Sequence, residues 1–207
     1  MTLDYIYKKY GLQNGKLPIQ IPDTDRTTLA ELFQELSFTV GAEIGTLAGV
    51  YAEILCKKNP SVHLYCVDPW MQYSGYKEHV TQDKFNKFFE QTQKRLKKYN
   101  VTYKRDFSVN VAKEFKDGSL DFVYIDGNHE LQHVINDLYA WAPKVRKGGI
   151  IAGHDYRTHK NNIPIHVVQA IHAYTSANKI TPWFVLGSKE YADGQRRDKS
   201  RSWFFVV

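Results

Sequence analysis

The feature that most constrains this fold is an alternation of short apolar runs with longer amphipathic stretches. The first five runs are nearly continuous in apolar or β-branched residues, as expected for parallel strands that are buried on both faces. The stretches between them are each about one helix long, which is typical of βαβ units. Right-handed crossovers then give a sheet with helices on both faces. The seven predicted strands are 39–44, 63–67, 102–105, 122–125, 150–152, 183–186 and 203–207.

These elements predict an α/β fold with a doubly wound, mostly parallel seven-stranded sheet. The last two strands are separated only by the polar stretch 187–199, so we expect an antiparallel hairpin at the edge of the sheet. The whole chain, 1–207, is expected to form a single domain, in which 1–25 is an N-terminal arm. A first helix begins near Thr24 or Asp25, either of which could cap it. The predicted helices after it are 49–57, 84–98, 109–115, 131–145 and 165–177.

Composition excludes several classes of protein. Hydrophobic residues make up 43% of the chain and charged residues 24%, a globular mix that excludes a disordered chain, a collagen-like repeat and a coiled coil. No apolar run approaches the roughly 18–20 residues of a membrane span, and the charged N-terminus is unlike a secretory signal. The two cysteines, Cys56 and Cys66, are too few for a disulfide framework. They are expected to be free, buried thiols of a cytoplasmic protein.

Positive charge is concentrated in one segment of the chain, whose net charge is +6. Residues 84–105 contain eight Lys or Arg residues and a single acid, Glu90. Apolar residues from Phe85 to Leu96 at helical spacing give the helix 84–98 a buried face, so the cations are expected on its solvated face. A phosphate-contacting patch for RNA or DNA is the alternative, which is not favoured because no known nucleic-acid module accompanies it.

The first predicted strand ends in a glycine-containing turn. It runs through Glu43 into Gly45-Thr46-Leu47-Ala48-Gly49, where glycines and a helix N-terminus allow the backbone to approach a ligand. Leu47 occupies the middle glycine position of a dinucleotide fingerprint, and no Gly-Lys-Ser/Thr follows. A nicotinamide dinucleotide or a nucleoside triphosphate is therefore less favoured. An ordinary tight strand–helix turn is the alternative.

Acidic residues follow the next two strands, and ligands in open α/β sheets bind beyond these carboxyl ends. Asp68 lies 23 residues after Gly45, close to the roughly 20-residue offset of a ribose-binding acid, although it could also be a turn or capping residue. Asp106 could accept a hydrogen bond from an adenine amino group, or cap the helix that begins near Ser108. Acids and a glycine turn without a phosphate loop indicate an adenosine ligand that carries no phosphates. S-adenosylmethionine is such a ligand.

The fourth and fifth strands deliver acids and imidazoles to the neighbouring rim. Asp126 and His129 follow the fourth strand, and His154 and Asp155 follow the fifth. Two carboxylates at adjacent strand ends need a cation, a proton or a Lys or Arg between them. This chemistry fits methyl transfer to oxygen, in which a divalent metal lowers the pKa of a substrate hydroxyl and an imidazole accepts its proton.

Structural roles are the alternatives for the same histidines. His129 begins a helix and could face solvent, and the pair His154-Asp155 could cap the end of a strand. His133 and Asp137 follow His129 at one-turn intervals, which is more often a surface pair than a zinc site.

Four short motifs, in register over residues 40–156, carry a family resemblance: Glu-Ile-Gly-Thr, Val-Asp-Pro-Trp, Ile-Asp-Gly-x-His and Gly-Gly-x-x-x-x-x-Asp-Tyr. With them the chain resembles the class I S-adenosylmethionine-dependent methyltransferases, which have a Rossmann-like fold. More narrowly, it resembles a small stand-alone family similar to the metal-dependent sugar O-methyltransferases of macrolide tailoring. The resemblance implies S-adenosylmethionine as the cofactor. The candidate cofactor-binding residues are Glu43, Gly45, Thr46, Gly49, Asp68, Trp70, Asp106 and Phe107.

The same resemblance implies a metal site and a base. Asp126, His154 and Asp155 match the metal-ligand positions, and His129 matches the general base, so that Asp126 and His129 are the candidate catalytic residues. The sugar enzymes have an acid where this chain has His154, and a neutral imidazole gives a softer, less charged site. Magnesium or manganese is the expected ion, and iron, zinc or no metal at all stay open.

The predicted function is S-adenosylmethionine-dependent O-methylation of a small-molecule or sugar hydroxyl. A methyltransferase of RNA or protein is an alternative, as is a domain that binds the cofactor without transferring its methyl group. Residues 69–83 are predicted to fold over the active site as a lid, in which Trp70, Tyr73 and Tyr76 could stack on a sugar, an aromatic substrate or the adenine. A packed loop that links two helices is the alternative. No membrane partner is expected, and the sequence is compatible with a homo-oligomer.

Overall fold

The computed structural model describes residues 1–73, 80–160 and 163–207, and in these ranges the chain alternates strands with helices. The strands are β1 (Ile19–Ile21), β2 (Val40–Ile44), β3 (His63–Val67), β4 (Val101–Lys104), β5 (Leu120–Ile125), β6 (Val145–Gly153), β7 (His159–Lys160), β8 (Ile163–Pro164), β9 (Trp183–Leu186) and β10 (Trp203–Val206). The helices are α1 (Thr2–Tyr10), α2 (Arg26–Glu35), α3 (Val50–Lys58), α4 (Gln82–Leu96), α5 (Ser108–Val111), α6 (Leu131–Trp141) and α7 (Val167–Ala177).

Eight of these strands form one sheet in the order β1-β9-β10-β6-β5-β2-β3-β4, and β7 pairs with β8 in a separate ribbon. Strand β10 is antiparallel to both of its neighbours, whereas the other pairs in the sheet are parallel. The strand order reverses between β2 and β5, where the chain stops adding strands on one side and starts on the other. The predicted doubly wound, mostly parallel α/β fold is therefore confirmed.

Alternate residues of the central strands supply two separate apolar layers, one on each face of the sheet. On β5, Phe122 belongs to the layer shared with α1, α2 and α3, and its ring stacks on that of Phe33 at 4.2 Å. The next residue, Val123, belongs to the layer that α6 and α7 cover. Cys56 and Cys66 are free and buried, as predicted. Helices on both faces leave the carboxyl ends of the strands as the open rim of the sheet.

The N-terminal segment differs most from its prediction as an arm. Helix α1 buries Ile6 completely, and β1 adds an eighth strand that pairs with β9. The β9–β10 hairpin forms as predicted, but β1 covers it, so that β1 is the strand at that edge. Leu3, Ile6, Tyr7 and Tyr10 all pack into the core, and their i, i+3, i+4, i+7 spacing is the signal that identifies α1.

The end of one predicted helix and the start of the strand after it also differ from the prediction, for a local reason. The predicted helix 131–145 ends at Trp141, and a 3-10 turn over Ala142–Lys144 follows it. Pro143 lies in this turn and has no N–H to continue the helix. Strand β6 consequently begins at Val145, five residues before the predicted start of the fifth strand.

Helix α4 separates its apolar and basic residues as predicted. Phe85 and Leu96 are buried, whereas Lys84, Lys87 and Lys94 are exposed. Residues 74–79 of the predicted lid, with Tyr76 among them, lie outside the described residues. In the part of the chain that is described, no helix combines the length and the apolar character needed to cross a membrane.

We expect the N-terminal segment to be part of one cooperative folding unit that spans the whole chain. Ile6→Ala should lower the free energy of unfolding by roughly 2–5 kcal/mol, because it removes a fully buried side chain and leaves a cavity. Chemical denaturation followed by circular dichroism measures this change. Lys8→Ala, on the exposed face of the same helix, is the matched control and should change stability by less than about 0.5 kcal/mol. An Ile6→Ala variant as stable as this control would contradict the prediction.

Candidate active site

A crevice of about 430 Å³ opens at the carboxyl ends of the strands, where the strand order reverses between β2 and β5. Topological switch points of this kind are where open α/β sheets bind ligands. The β2–α3 turn lines one side of the crevice, and the residues that follow β3, β4 and β5 line the others.

Gly45 allows the turn after β2 to contact the end of β5. Its φ is +87°, and a Cβ at this position would overlap the carbonyl oxygen of Asp126. Leu47 also has a left-handed backbone, with φ 48°, a conformation that is costly for a residue with a side chain. Gly49, with φ +70°, precedes α3 as its N-cap. The turn therefore needs support from outside itself.

Asp68 and Trp70 supply that support. The Asp68 carboxylate accepts hydrogen bonds from Leu47 N at 3.0 Å and from Trp70 N at 2.7 Å. The Trp70 indole donates to Leu47 O at 2.7 Å. Burial raises the pKa of Asp68, and the two backbone N–H groups oppose that rise. Asp68 lines the crevice while also bracing its rim.

Trp70 does not offer a ring face to the crevice, in contrast to the stacking role that the sequence predicted. It is fully buried, and its ring packs against Phe89 at 4.7 Å. The apolar ring is drawn into the core under α4, while its one polar atom bonds the strained turn. Tyr73, by contrast, lines the crevice, and its hydroxyl accepts a hydrogen bond from Asn128 Nδ2 at 3.1 Å.

The two residues after β4 take different positions. Asp106 is exposed and accepts hydrogen bonds from Phe107 N at 2.6 Å and Asn110 Nδ2 at 3.3 Å. Phe107 is the N-cap of α5, and no side chain makes a capping hydrogen bond there, so Asp106 does not cap this helix. Phe107 lines the crevice, and its ring meets that of Tyr73 edge-on at 5.3 Å. Asp106 and Gly49 are not part of the lining among the described residues.

Glu43 lies at the bottom of the crevice on β2 and is only 2% exposed. Burial raises its pKa well above the ordinary range, and the nearby Asp68 and Asp126 add to the rise. Its Oε2 atom is buried without a hydrogen-bond partner. Thr46 also lines the crevice, and its hydroxyl donates to Glu43 O at 3.3 Å. A buried carboxyl oxygen without a partner is suited to a donor group from a ligand.

The predicted reaction residues meet at one place. His129 Nε2 lies 2.8 Å from Asp155 Oδ2 and 3.8 Å from Asp126 Oδ1. His154 Nδ1 lies 3.6 Å from Asp126 Oδ2 and 3.8 Å from Asp155 Oδ1. Asp126 and His129 line the crevice, whereas His154 and the 1%-exposed Asp155 lie behind them. Arg157 Nε approaches Asp155 Oδ1 to 3.1 Å from the far side.

The two histidines determine the charge of Asp126. Burial alone would raise the pKa of this carboxyl, but the neighbouring imidazoles of His129 and His154 outweigh burial and lower it below its ordinary value. Asp126, His154 and Asp155 each place one potential ligand atom within 4.8 Å of the others. The cluster can therefore hold a cation, and it presents an ionised carboxylate and an imidazole to the crevice.

Sequence reasoning missed two crevice residues. Arg26, the first residue of α2, lines the crevice beside Glu43. Asp137 was predicted to form a surface ladder with His133, but it is 6% exposed, lines the crevice and is hydrogen-bonded to the Ser108 hydroxyl. It shares a helix face with the buried Val134, Leu138 and Trp141, and this i, i+3, i+4, i+7 pattern is the signal that identifies its position. His133 is exposed at the rim.

Comparisons with known proteins agree with this arrangement. A family described as a methyltransferase domain matches residues 42–156. The chain is 28% identical to the uncharacterized protein R132 of Acanthamoeba polyphaga mimivirus over 158 residues, which are 75% of this chain and 68% of that protein.

Two solved structures share the fold. The O-methyltransferase from Bacillus cereus in complex with S-adenosylhomocysteine matches with a TM-score of 0.63 at 16% identity, over 100% of this chain and 90% of that one. TomG from Streptomyces achromogenes, an O-methyltransferase of tomaymycin synthesis in complex with S-adenosylmethionine, matches with a TM-score of 0.60 at 14% identity, over 98% and 86% of the two chains.

Asp137 is expected to make stability fall as the pH rises. Burial raises its pKa to about 7, against the hydrogen bond from Ser108, so the unfolded chain ionises this group at a lower pH than the folded protein does. The stability that the neutral acid provides is complete below the unfolded pKa and is lost as the pH rises through about 7. The side chain of the Asp137→Asn variant stays neutral at every pH. The free energy of unfolding of this variant, minus that of the native protein, should therefore increase by about 2–3 kcal/mol between pH 5 and pH 8.

Chemical denaturation at the two pH values measures this difference. Asp106→Asn, which neutralises an exposed carboxyl at the neighbouring strand end, is the control. Equal pH dependence of the Asp137→Asn variant and the native protein would contradict the prediction.

Proposed function

The chain belongs to the family that carries this methyltransferase domain, and we propose that it transfers the methyl group of S-adenosylmethionine to the hydroxyl of a small molecule or sugar. The class I methyltransferase resemblance and the Rossmann-like fold predicted from four motifs are confirmed by the family match and the fold. One observation carries the O-methylation proposal: His129 lines the crevice and lies 2.8 Å from Asp155 Oδ2, beside Asp126.

In this proposal the cofactor lies along the carboxyl ends of β2, β3 and β4 and points its methyl group towards β5. The amino-acid part lies at Glu43, Gly45 and Thr46, the ribose at Asp68 and the base at Phe107. All five residues line the crevice. Gly45 supports this placement because its missing side chain lets the turn pack directly against the Asp126 carbonyl, so that the proposed cofactor residues lie next to the end of β5.

The other cofactor candidates are proposed to act indirectly. Gly49 begins α3 with a left-handed backbone, and Trp70 holds Leu47 through its indole N–H. Asp106 holds the start of α5 and thereby positions Phe107. Each of them shapes the turn that meets the ligand, and none lies in the crevice lining.

The reaction requires that an acceptor oxygen attack the methyl carbon in line with the departing sulfur. The oxygen–carbon bond forms as the carbon–sulfur bond breaks, and the sulfonium leaves as the neutral thioether S-adenosylhomocysteine. The hydroxyl proton passes to His129. Asp155 Oδ2 lies 2.8 Å from Nε2 of this ring. In the proposal Nε2 carries the proton of the neutral imidazole, which leaves the lone pair on Nδ1, and the Asp155 carboxylate stabilises the imidazolium that forms.

A divalent cation fits the same cluster. Asp126, His154 and Asp155 would hold it, and His154 Nε2 is buried without a hydrogen-bond partner. Two carboxylates and an imidazole suit manganese, iron or zinc better than magnesium. When bound, such an ion would lower the pKa of the acceptor hydroxyl and orient its oxygen.

His129→Ala is expected to lower kcat by roughly 100- to 1,000-fold while leaving cofactor affinity nearly unchanged, because it removes the proton acceptor and no proposed cofactor contact. S-adenosylhomocysteine release measured over a panel of phenolic and sugar acceptors gives the rate, and calorimetry gives the affinity. His63→Ala, at the amino end of β3, is the control. Unchanged turnover by the His129→Ala variant would favour a cofactor-binding domain without transfer.

Chelation of divalent ions should lower turnover, and added Mn²⁺ should restore it more fully than Mg²⁺. Calorimetric titration of the metal-free protein with Mn²⁺ measures binding directly, and His154→Ala should weaken it about tenfold or more. His172→Ala, an exposed histidine on α7, is the matched control. If the native protein binds no Mn²⁺, the metal part of the proposal fails and the His129–Asp155 pair stands alone.

A further inference from the structure

The charged side chains that line the crevice are mostly acidic. Among the described residues of the lining, four side chains carry carboxyl groups, and Arg26 is the one guanidinium or ammonium group. The carboxyl groups are those of Glu43, Asp68, Asp126 and Asp137. A ligand that carries a carboxylate of its own therefore has one permanently charged partner in this part of the protein.

Contacts of both the backbone and the side chain hold Arg26 in place. Its N–H donates to Asp198 Oδ2 at 2.9 Å, and its Nε lies 3.8 Å from Asp198 Oδ1. The Tyr51 hydroxyl donates to Arg26 O at 2.9 Å, and the guanidinium lies over the Tyr51 ring, 5.5 Å from its centroid. In the described residues, the guanidinium donates no hydrogen bond that meets normal geometry. The neighbouring residues thus orient the guanidinium group, and its N–H donors stay available to a ligand.

Glu43 lies in the same part of the crevice. Tyr124, its partner on β5 in the sheet register, packs against Tyr51 with ring centroids 4.3 Å apart, and Tyr51 is the ring beneath Arg26. The Arg26 charge lowers the pKa of Glu43, against the larger effect of burial. The two side chains are near enough to influence each other, yet no ion pair joins them among the described contacts. The same crevice is therefore lined by one positive side chain and one buried acidic side chain.

A cation and an acid that line one crevice without pairing with each other are complementary to an α-amino acid, whose ammonium and carboxylate groups are bonded to the same carbon. Guanidinium groups bind carboxylates through two parallel hydrogen bonds. We propose that Arg26 binds the α-carboxylate of the cofactor's amino-acid part, while Glu43 accepts from its α-ammonium. This assignment rests on the proposed function, since it takes S-adenosylmethionine as the ligand. It makes α2 and the Asp198 segment part of the cofactor site.

Removal of the positive charge of Arg26 tests whether this residue binds the carboxylate. Arg26→Met should weaken the binding of S-adenosylhomocysteine by roughly 10- to 100-fold, the effect of losing a charge-assisted hydrogen-bond pair. Binding of the decarboxylated analogue, in which adenosine carries a 3-aminopropyl thioether, should change by less than about twofold, since it has no carboxylate to lose. Isothermal titration calorimetry gives both affinities. Arg26→Lys keeps the charge and should retain part of the preference for S-adenosylhomocysteine.

The affinities for the two ligands together distinguish a carboxylate-binding role of Arg26 from a structural one. Arg146→Met, which removes an Arg that pairs with Asp121 at 2.6 Å outside the crevice, is the matched control and should leave both affinities unchanged. Equal weakening of both ligands by Arg26→Met would overturn the assignment and give Arg26 a purely structural role, as would no weakening of either. In those cases the native protein still binds S-adenosylhomocysteine. Failure of the native protein to bind either ligand would instead overturn the proposed function, and this assignment with it.

Discussion

The contact between the turn after β2 and the end of β5 decides where the active site can be. Asp126 N donates to Ile44 O at 2.7 Å, and Gly45 N donates to Val67 O at 2.8 Å, so the ends of β2, β3 and β5 are joined. The missing side chain of Gly45 lets the Asp126 carbonyl approach the turn directly. Any side chain there would push the two strand ends apart. The proposed cofactor residues and the proposed reaction residues share one crevice because this position has no Cβ.

Burial then gives the acids around that contact different pKa values. Removal from water raises the pKa values of Glu43, Asp68 and Asp137, whereas two neighbouring histidines keep the pKa of Asp126 low. The ionised form is therefore favoured most at Asp126, beside His129, where the proposed sulfonium would present its methyl group. Environments that separate the pKa values of neighbouring acids are typical of sites that bind charge and move protons.

Local patterns in the sequence predicted the strands and the acids at their ends, because a buried parallel strand needs a continuous apolar run and its end is marked by polar residues. They could not predict Arg26, whose place in the crevice depends on Asp198 and Tyr51, distant in sequence. They placed Trp70 at the ligand, because an exposed and a buried tryptophan look alike in a sequence. The three-residue β1 was missed since its pairing with β9 is a tertiary contact. The O-methyl acceptor stays a prediction, and residues 74–79 of the predicted lid lie outside the described chain.

The proposed carboxylate-binding residue, Arg26, lies outside the region that matches the family. The match covers 42–156, which includes the turn, Asp68 and the Asp126–His129 cluster. Arg26 and Asp198 lie on either side of it, and their contact joins the start of α2 to the segment before β10. The pairing of β1 with β9 ties the same two flanks into the sheet. The matched region supplies the chemistry of the crevice, and the flanks close one wall of it. In this chain, the proposed contact with the ligand's carboxylate therefore depends on residues that the four motifs do not include.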